Sequence, residues 1–203
     1  MQTAVRQTGE RSHAGSASAV SGSLRGRWRG SELSATRGDG APAGWLPIEQ
    51  YIQTLPHATV NAAFYFTDEA GRLFGMKSSH RPDYWQLPGG DMDHGDASPF
   101  AAAVRELAEE TGLRFSGEPA LLATLFRGPE PGWPGYSKVG FLFDGGTLRA
   151  EQLAAVRLDP GEHSQWAVFS GPAWRATASP LLVACAEAAA RARATGRAEF
   201  LTW

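Results

Sequence analysis

The residues best suited to chemistry in this chain are three glutamates in one short run, Glu106, Glu109 and Glu110, within Arg105-Glu106-Leu107-Ala108-Glu109-Glu110-Thr111-Gly112-Leu113. Side chains three and four positions apart are neighbours on a helix, and like charges at that spacing oppose helix formation by roughly 0.2–0.5 kcal/mol per pair. Arg105 alone stands beside them as a cation, so the cluster needs a further compensating partner. A hard divalent cation with oxygen ligands is such a partner. A bare Glu-x-x-Glu-Glu triplet is more often a solvated acidic face, so its meaning rests on the elements around it.

Those elements can be read from pattern. Ser98 is an N-cap with Pro99 at the first helical position, residues 100–111 are good helix formers, and Gly112 ends the run. On that helix Phe100, Val104, Leu107 and Thr111 are expected to face a core, with the three glutamates on the opposite side. Upstream, two apolar runs starting at Ala58 and Leu73 flank a turn over 68–71, which predicts a hairpin. Residues 78–84 read as a loop, and Trp85-Gln86-Leu87 as a short strand stopped by Pro88-Gly89-Gly90. Strands are expected over 120–126, 138–143 and 165–169, and a last helix over 180–195. The class is mixed α/β.

Composition bounds the partners. The 203 residues suit one domain with a packed core, and 19 Lys+Arg against 21 Asp+Glu give a net charge of -2, which argues against a nucleic-acid or membrane-surface partner. The single cysteine, Cys185, cannot close an intrachain disulfide and sits among alanines, where a small buried apolar role is expected. Without an apolar run of membrane-spanning length or a secretory signal, the expected location is cytoplasmic. Residues 1–43, rich in Gly, Ser, Ala and Arg, are expected to be a disordered tail; the patch Arg25-Gly26-Arg27-Trp28-Arg29-Gly30 within it carries no assigned role. The ordered domain is expected over 44–203.

The segment from Leu87-Pro88-Gly89-Gly90 through Leu113 resembles the signature of the Nudix hydrolases, G-x5-E-x7-R-E-U-x-E-E-x-G-U with U aliphatic. Every defined position of the second half is matched. The first half departs: counting back from Arg105 puts Ala97 where the family has glutamate, whereas counting forward from Gly90 reaches Asp96. A one-residue insertion in the loop 91–97 reconciles the two, with Asp96 pairing with Arg105 in that glutamate's place. The resemblance implies an α/β/α sandwich around a mixed sheet.

It further implies that Glu106, Glu109 and Glu110, helped by the backbone carbonyl of Gly89, hold Mg²⁺ or Mn²⁺, with Gly90 and Gly112 shaping the loop and the helix end. The implied reaction is water attack at phosphorus in a diphosphate. Glu106 is the first candidate for the general base, oriented by Arg105. Glu162, in the loop before the strand expected at 165, is the second, or a further metal ligand; His163 beside it reads as a surface or strand-edge histidine. The implied partner is a small nucleoside diphosphate-linked molecule, contacted by Trp85, Arg127 and Tyr136 with Tyr84, Phe126 and Trp133 nearby. Nucleoside triphosphates, ADP-ribose or nucleotide sugars, and dinucleotide polyphosphates all remain open, as does a homodimer. The competing reading is a non-catalytic Nudix-fold sensor of a nucleotide.

Overall fold

Two long central strands organise the fold. In the computed structural model, which describes residues 46–203 apart from Pro82 and Trp133, β1 (His57–Asp68) runs parallel to β6 (Tyr136–Leu148) over its whole length. The expected tail, its arginine patch and Trp133 therefore lie outside the described residues. The other elements are α1 (Ile48–Gln53), β2 (Leu73–Ser78), β3 (Trp85–Gln86), β4 (Gly89–Asp91), α2 (Pro99–Thr111), β5 (Leu121–Arg127), α3 (Ala150–Ala155), β7 (His163–Phe169), α4 (Gly171–Thr177), α5 (Pro180–Thr195) and β8 (Glu199–Thr202). Sheet order is β3-β2-β1-β6-β5-β8, with β4 pairing β1 and β7 pairing β2.

Side-chain alternation along β1 splits the core between two faces. Ala62, Phe64 and Phe66 pack with Ala103 and Leu107 of α2, whereas Ala63 and Tyr65 belong with Ala186, Ala188, Ala189 and Ala192 of α5. The result is the expected α/β/α sandwich, with α5 on the face opposite α2. Phe64 is the hub of its layer, its ring 4.6 Å from that of Phe115 and 5.9 Å from that of Phe100. Full burial of a side chain of that size is worth about 1.5–3 kcal/mol. Where β1 and β6 slip register between Tyr65 and Phe66, Gly145 is left over, and a Cβ there would lie 2.4 Å from the Phe66 ring.

Helix α2 forms as its sequence dictates. The Ser98 hydroxyl accepts from the Ala101 N–H at 3.1 Å, Pro99 opens the helix, and Gly112 at φ 70° closes it by donating to the Ala108 carbonyl at 2.9 Å. The hairpin turn is held by the Asp68 carboxylate, which accepts from the backbone N–H groups of Ala70 and Arg72. Gly89 and Gly90 do not merely stop a strand: with Asp91 they form β4, antiparallel to Asn61–Ala63. Gly89 can do so because, at φ 144°, any Cβ would lie 2.2 Å from the Ala62 carbonyl oxygen. No described helix is long and apolar enough to cross a membrane.

Candidate active site

The middle of α2 meets the loop 91–98 through one guanidinium, that of Arg105. Arg105 Nε donates to Asp96 Oδ1 at 3.2 Å and Nη2 to Asp96 Oδ2 at 3.0 Å, while Nη1 donates to Glu106 Oε1 and to Glu109 Oε2, both at 2.9 Å. Nη2 also reaches the Asp91 carbonyl at 3.1 Å. The Asp96–Arg105 pair is thus present despite the shorter side chain and the shifted spacing. Its hydrogen bonds hold Asp96 below the usual carboxylate range and Arg105 above its ordinary value. Glu106 is raised, because burial opposes its charge more strongly than Arg105 favours it. Its carboxylate rests on Gly90, where a Cβ would lie 2.4 Å from Oε1.

One turn later the surroundings change. The expectation that all three glutamates lie opposite the core is corrected: Glu110 is 2 % exposed and shares the buried side with Leu107 and Thr111, whereas the Glu109 side chain is 58 % exposed. Position 110 follows Leu107 by three and Ala103 by seven, so helical geometry itself turns it inward. Glu110 Oε2 accepts from the Gly89 N–H at 2.7 Å, and Oε1 lies 2.6 Å from His163 Nε2. His163, expected at a surface or strand edge, opens β7 but is 2 % exposed. A lone histidine ahead of a strand carries no local signal of this pairing.

Burial raises Glu110 despite the histidine and the Gly89 N–H; burial would lower His163, but the Glu110 carboxylate outweighs it and raises it. Both directions keep a proton on the pair. The Lys77 carbonyl also favours the charged ring, although Nδ1 makes no aligned hydrogen bond.

The loop that delivers His163 is tied to the end of α2. The Asp159 N–H donates to the Glu110 carbonyl at 3.2 Å, and the Arg157 N–H to the Thr111 carbonyl at 2.8 Å, so two C-terminal carbonyls of the helix are satisfied by this loop. Asp159 in turn accepts from the N–H groups of Gly161, Glu162 and His163. Glu162 is exposed, and its carboxylate, that of Glu110 and the His163 ring offer ligand atoms within 4.8 Å of one another.

A divalent ion fits these residues. The last turn of α2 carries no basic residue, yet it ends in carboxylates at the negative pole of the helix dipole. Carboxylate oxygens are the donors a hard ion prefers.

Beside this cluster a cleft of about 210 Å³ over the α5 face of the sheet is lined by Gly89, Gly90, Leu142, Leu182, Arg127 and Lys138. Of the side chains expected to contact substrate, Arg127 is on this wall, its guanidinium 2.6 Å from Glu130. Tyr84 also lines it. Trp85 does not: it is buried in the core, edge-on to Phe169 at 4.6 Å, where its large apolar ring gains more from burial than from an exposed stack. Tyr136 is exposed and packs near the His57 ring, off the cleft. Phe126 is also exposed.

The family model for the NUDIX domain matches residues 55–174. No curated protein matches the chain. Among solved structures, a MutT protein from Methanosarcina mazei Go1 is 21% identical, with 69% of this chain and 99% of that one covered at a TM-score of 0.56. A C. elegans Ap4A hydrolase in a binary complex is 20% identical, with 68% and 98% covered at 0.52. The NUDIX domain of Shewanella oneidensis NrtR, complexed with ADP ribose, is 18% identical, with 74% and 100% covered at 0.53. These likenesses establish the fold. Because the family match takes in more than half the chain and spans the helix with its three glutamates, the chain belongs to the Nudix hydrolase family.

Proposed function

We propose that this chain is a Mg²⁺- or Mn²⁺-dependent hydrolase that cleaves the diphosphate linkage of a nucleotide-type small molecule by attack of water at phosphorus. One observation carries the reading: Gly90 is at once a wall of the cleft and the surface on which the Glu106 carboxylate rests. A diphosphate against that wall of the cleft would lie beside the carboxylates.

The ion would be held by Glu106, Glu109 and Glu110, with the Gly89 carbonyl and Glu162 as further donors. When bound it neutralises the diphosphate and acidifies a water ligand. The rest is done by the chain. Arg105 holds Glu106 and Glu109 and ties them to the loop through Asp96. Glu106, with its raised proton affinity, is the proposed acceptor of the proton from the attacking water. Arg127 and Lys138 place positive charge along the cleft, and Leu142 and Leu182 give an apolar wall to the base or sugar. With Asp96 paired to Arg105 and all three glutamates present, the enzyme reading is preferred over a non-catalytic sensor.

The substrate group is tested by incubating the full chain with Mg²⁺ and a panel of nucleoside triphosphates, ADP-ribose, nucleotide sugars and dinucleoside polyphosphates in heavy-oxygen water. The expected result is turnover of one group, with heavy oxygen in one phosphate product. No turnover across the panel, with nucleotide binding intact, would favour the sensor.

A further inference from the structure

We infer that His163 is a positioning residue that fixes the Glu110 carboxylate in the orientation from which it ligates the divalent ion, and that the loop 157–163 is built to bring it there. The inference rests on the metal-dependent reading above and assigns a role to a residue outside the glutamate motif.

Both oxygens of Glu110 are engaged, Oε2 by the Gly89 N–H at 2.7 Å and Oε1 by His163 Nε2 at 2.6 Å. A carboxylate offers about four acceptor sites, so this clamp leaves one free on each oxygen. The two donors come from different elements, β4 and β7, and together they hold a side chain that would otherwise rotate about three bonds. The aim of His163 is itself set by the backbone. Pairing between β2 and β7 slips beyond Lys77↔Gln165, so that Ser78 faces His163 and Ser164 is left over. This irregularity puts two successive exposed residues, Ser164 and Gln165, after a fully buried histidine. An extra residue of this kind re-aims a side chain at the end of a strand. The Asp159 and Arg157 N–H groups then fasten the same loop to the Glu110 and Thr111 carbonyls, so the loop that carries the imidazole is tied to the helix end.

Partners that orient ligating groups typically cost 10–100-fold in metal affinity or activity when removed. The test is Mn²⁺ binding alone, by paramagnetic resonance of the free ion, to the full-length chain and to His163→Leu and His163→Gln. His163→Leu is expected to bind Mn²⁺ about 10–100-fold more weakly. His163→Gln, whose amide N–H can reach Oε1, is expected to recover most of that loss. In turnover assays, kcat of His163→Leu should rise towards wild type at high Mn²⁺ while KM for the nucleotide stays near the wild-type value.

Equal Mn²⁺ affinity in folded His163→Leu, or a His163→Gln variant as defective as His163→Leu, overturns the inference. If His163→Leu does not fold, the comparison passes to His163→Gln against His163→Asn, whose amide is too short to reach; equal affinity in those two overturns it as well. A wild-type chain that binds no Mn²⁺ sinks the metal reading together with this inference. Normal wild-type binding with an insensitive His163 sinks this inference alone.

Discussion

At Arg105 a partly exposed guanidinium gathers Asp96, Glu106 and Glu109, while one turn further along α2 Glu110 is sealed between His163 and the Gly89 N–H. The first cluster is bathed by solvent at Glu109, and three carboxylates and the Asp91 carbonyl share one rigid fork. Such an arrangement tolerates change, because a fork with five donors can meet an aspartate arriving from a loop one residue longer. The second has one donor per oxygen and almost no water to replace a lost partner, so it is unforgiving. The departure of the sequence from the family signature falls in the forgiving half.

The largest effect should come from emptying the sealed turn. Glu110→Ala leaves a buried imidazole and the Gly89 N–H without partners, and is expected to lower stability by about 3 kcal/mol. Glu109→Ala, at an exposed position, is expected to change it by less than about 0.5 kcal/mol. Urea unfolding of the two variants in chelator measures both; similar values would erase the contrast.

The two glycines of β4 sharpen the same distinction. Gly89→Ala forces a side chain at φ 144° into the Ala62 backbone and should disrupt the pairing of β4 with β1. Gly90→Ala meets only the end of the Glu106 side chain, which can swing aside. It should keep its melting temperature yet lose about 100-fold in kcat, the scale of a 1 Å misplacement. Calorimetry beside kinetics separates the two outcomes.

Smaller still is the expected effect of Asp96→Ala, about 10-fold in kcat, since Arg105 retains Glu106 and Glu109 and loses only its tie to the loop. Asp96→Glu, which keeps a carboxylate for Arg105, is expected to stay within a few-fold of wild type, roughly the scale of a retained partner, and steady-state kinetics of both tests this.

The smallest effect concerns pH. Glu110 and His163 are both raised above their ordinary values of 4.5 and 6.5, so the folded chain binds more protons than the unfolded one in that range. The contribution of Glu110 is therefore fully present below pH 4.5 and lost as pH rises through its raised value, and that of His163 is fully present below pH 6.5 and lost as pH rises through its own raised value. Melting curves in chelator should fall over that interval, and His163→Gln should flatten the fall.

How much of this was legible in the sequence depends on the range of the interactions. Helix α2 could be bounded at Ser98 and Gly112 because its caps are local chemistry, and α5 at Pro180 and Thr195 for the same reason. Strand β4 could not, because Gly89-Gly90-Asp91 has no strand propensity of its own and forms only against β1. Helices α1, α3 and α4 and strand β8 are too short for either periodicity to register. The three glutamates were legible as a group by type and spacing, but the burial of Glu110 was masked by its charge, and its partner His163 lies 53 residues away. Trp85 misled in the opposite sense: an aromatic beside a loop suggests stacking, and here it fills the core.

The most direct test of the central claim is Mg²⁺-dependent hydrolysis of the best substrate from the panel by the wild-type chain and by Glu106→Gln, with Mg²⁺ binding followed in parallel. The proposed metal-dependent hydrolysis predicts loss of about 10²–10⁴-fold in kcat in the variant, the range for removal of a positioned base, and no turnover by either chain in chelator. Undiminished turnover by Glu106→Gln, or full activity of the wild type in chelator, would contradict it.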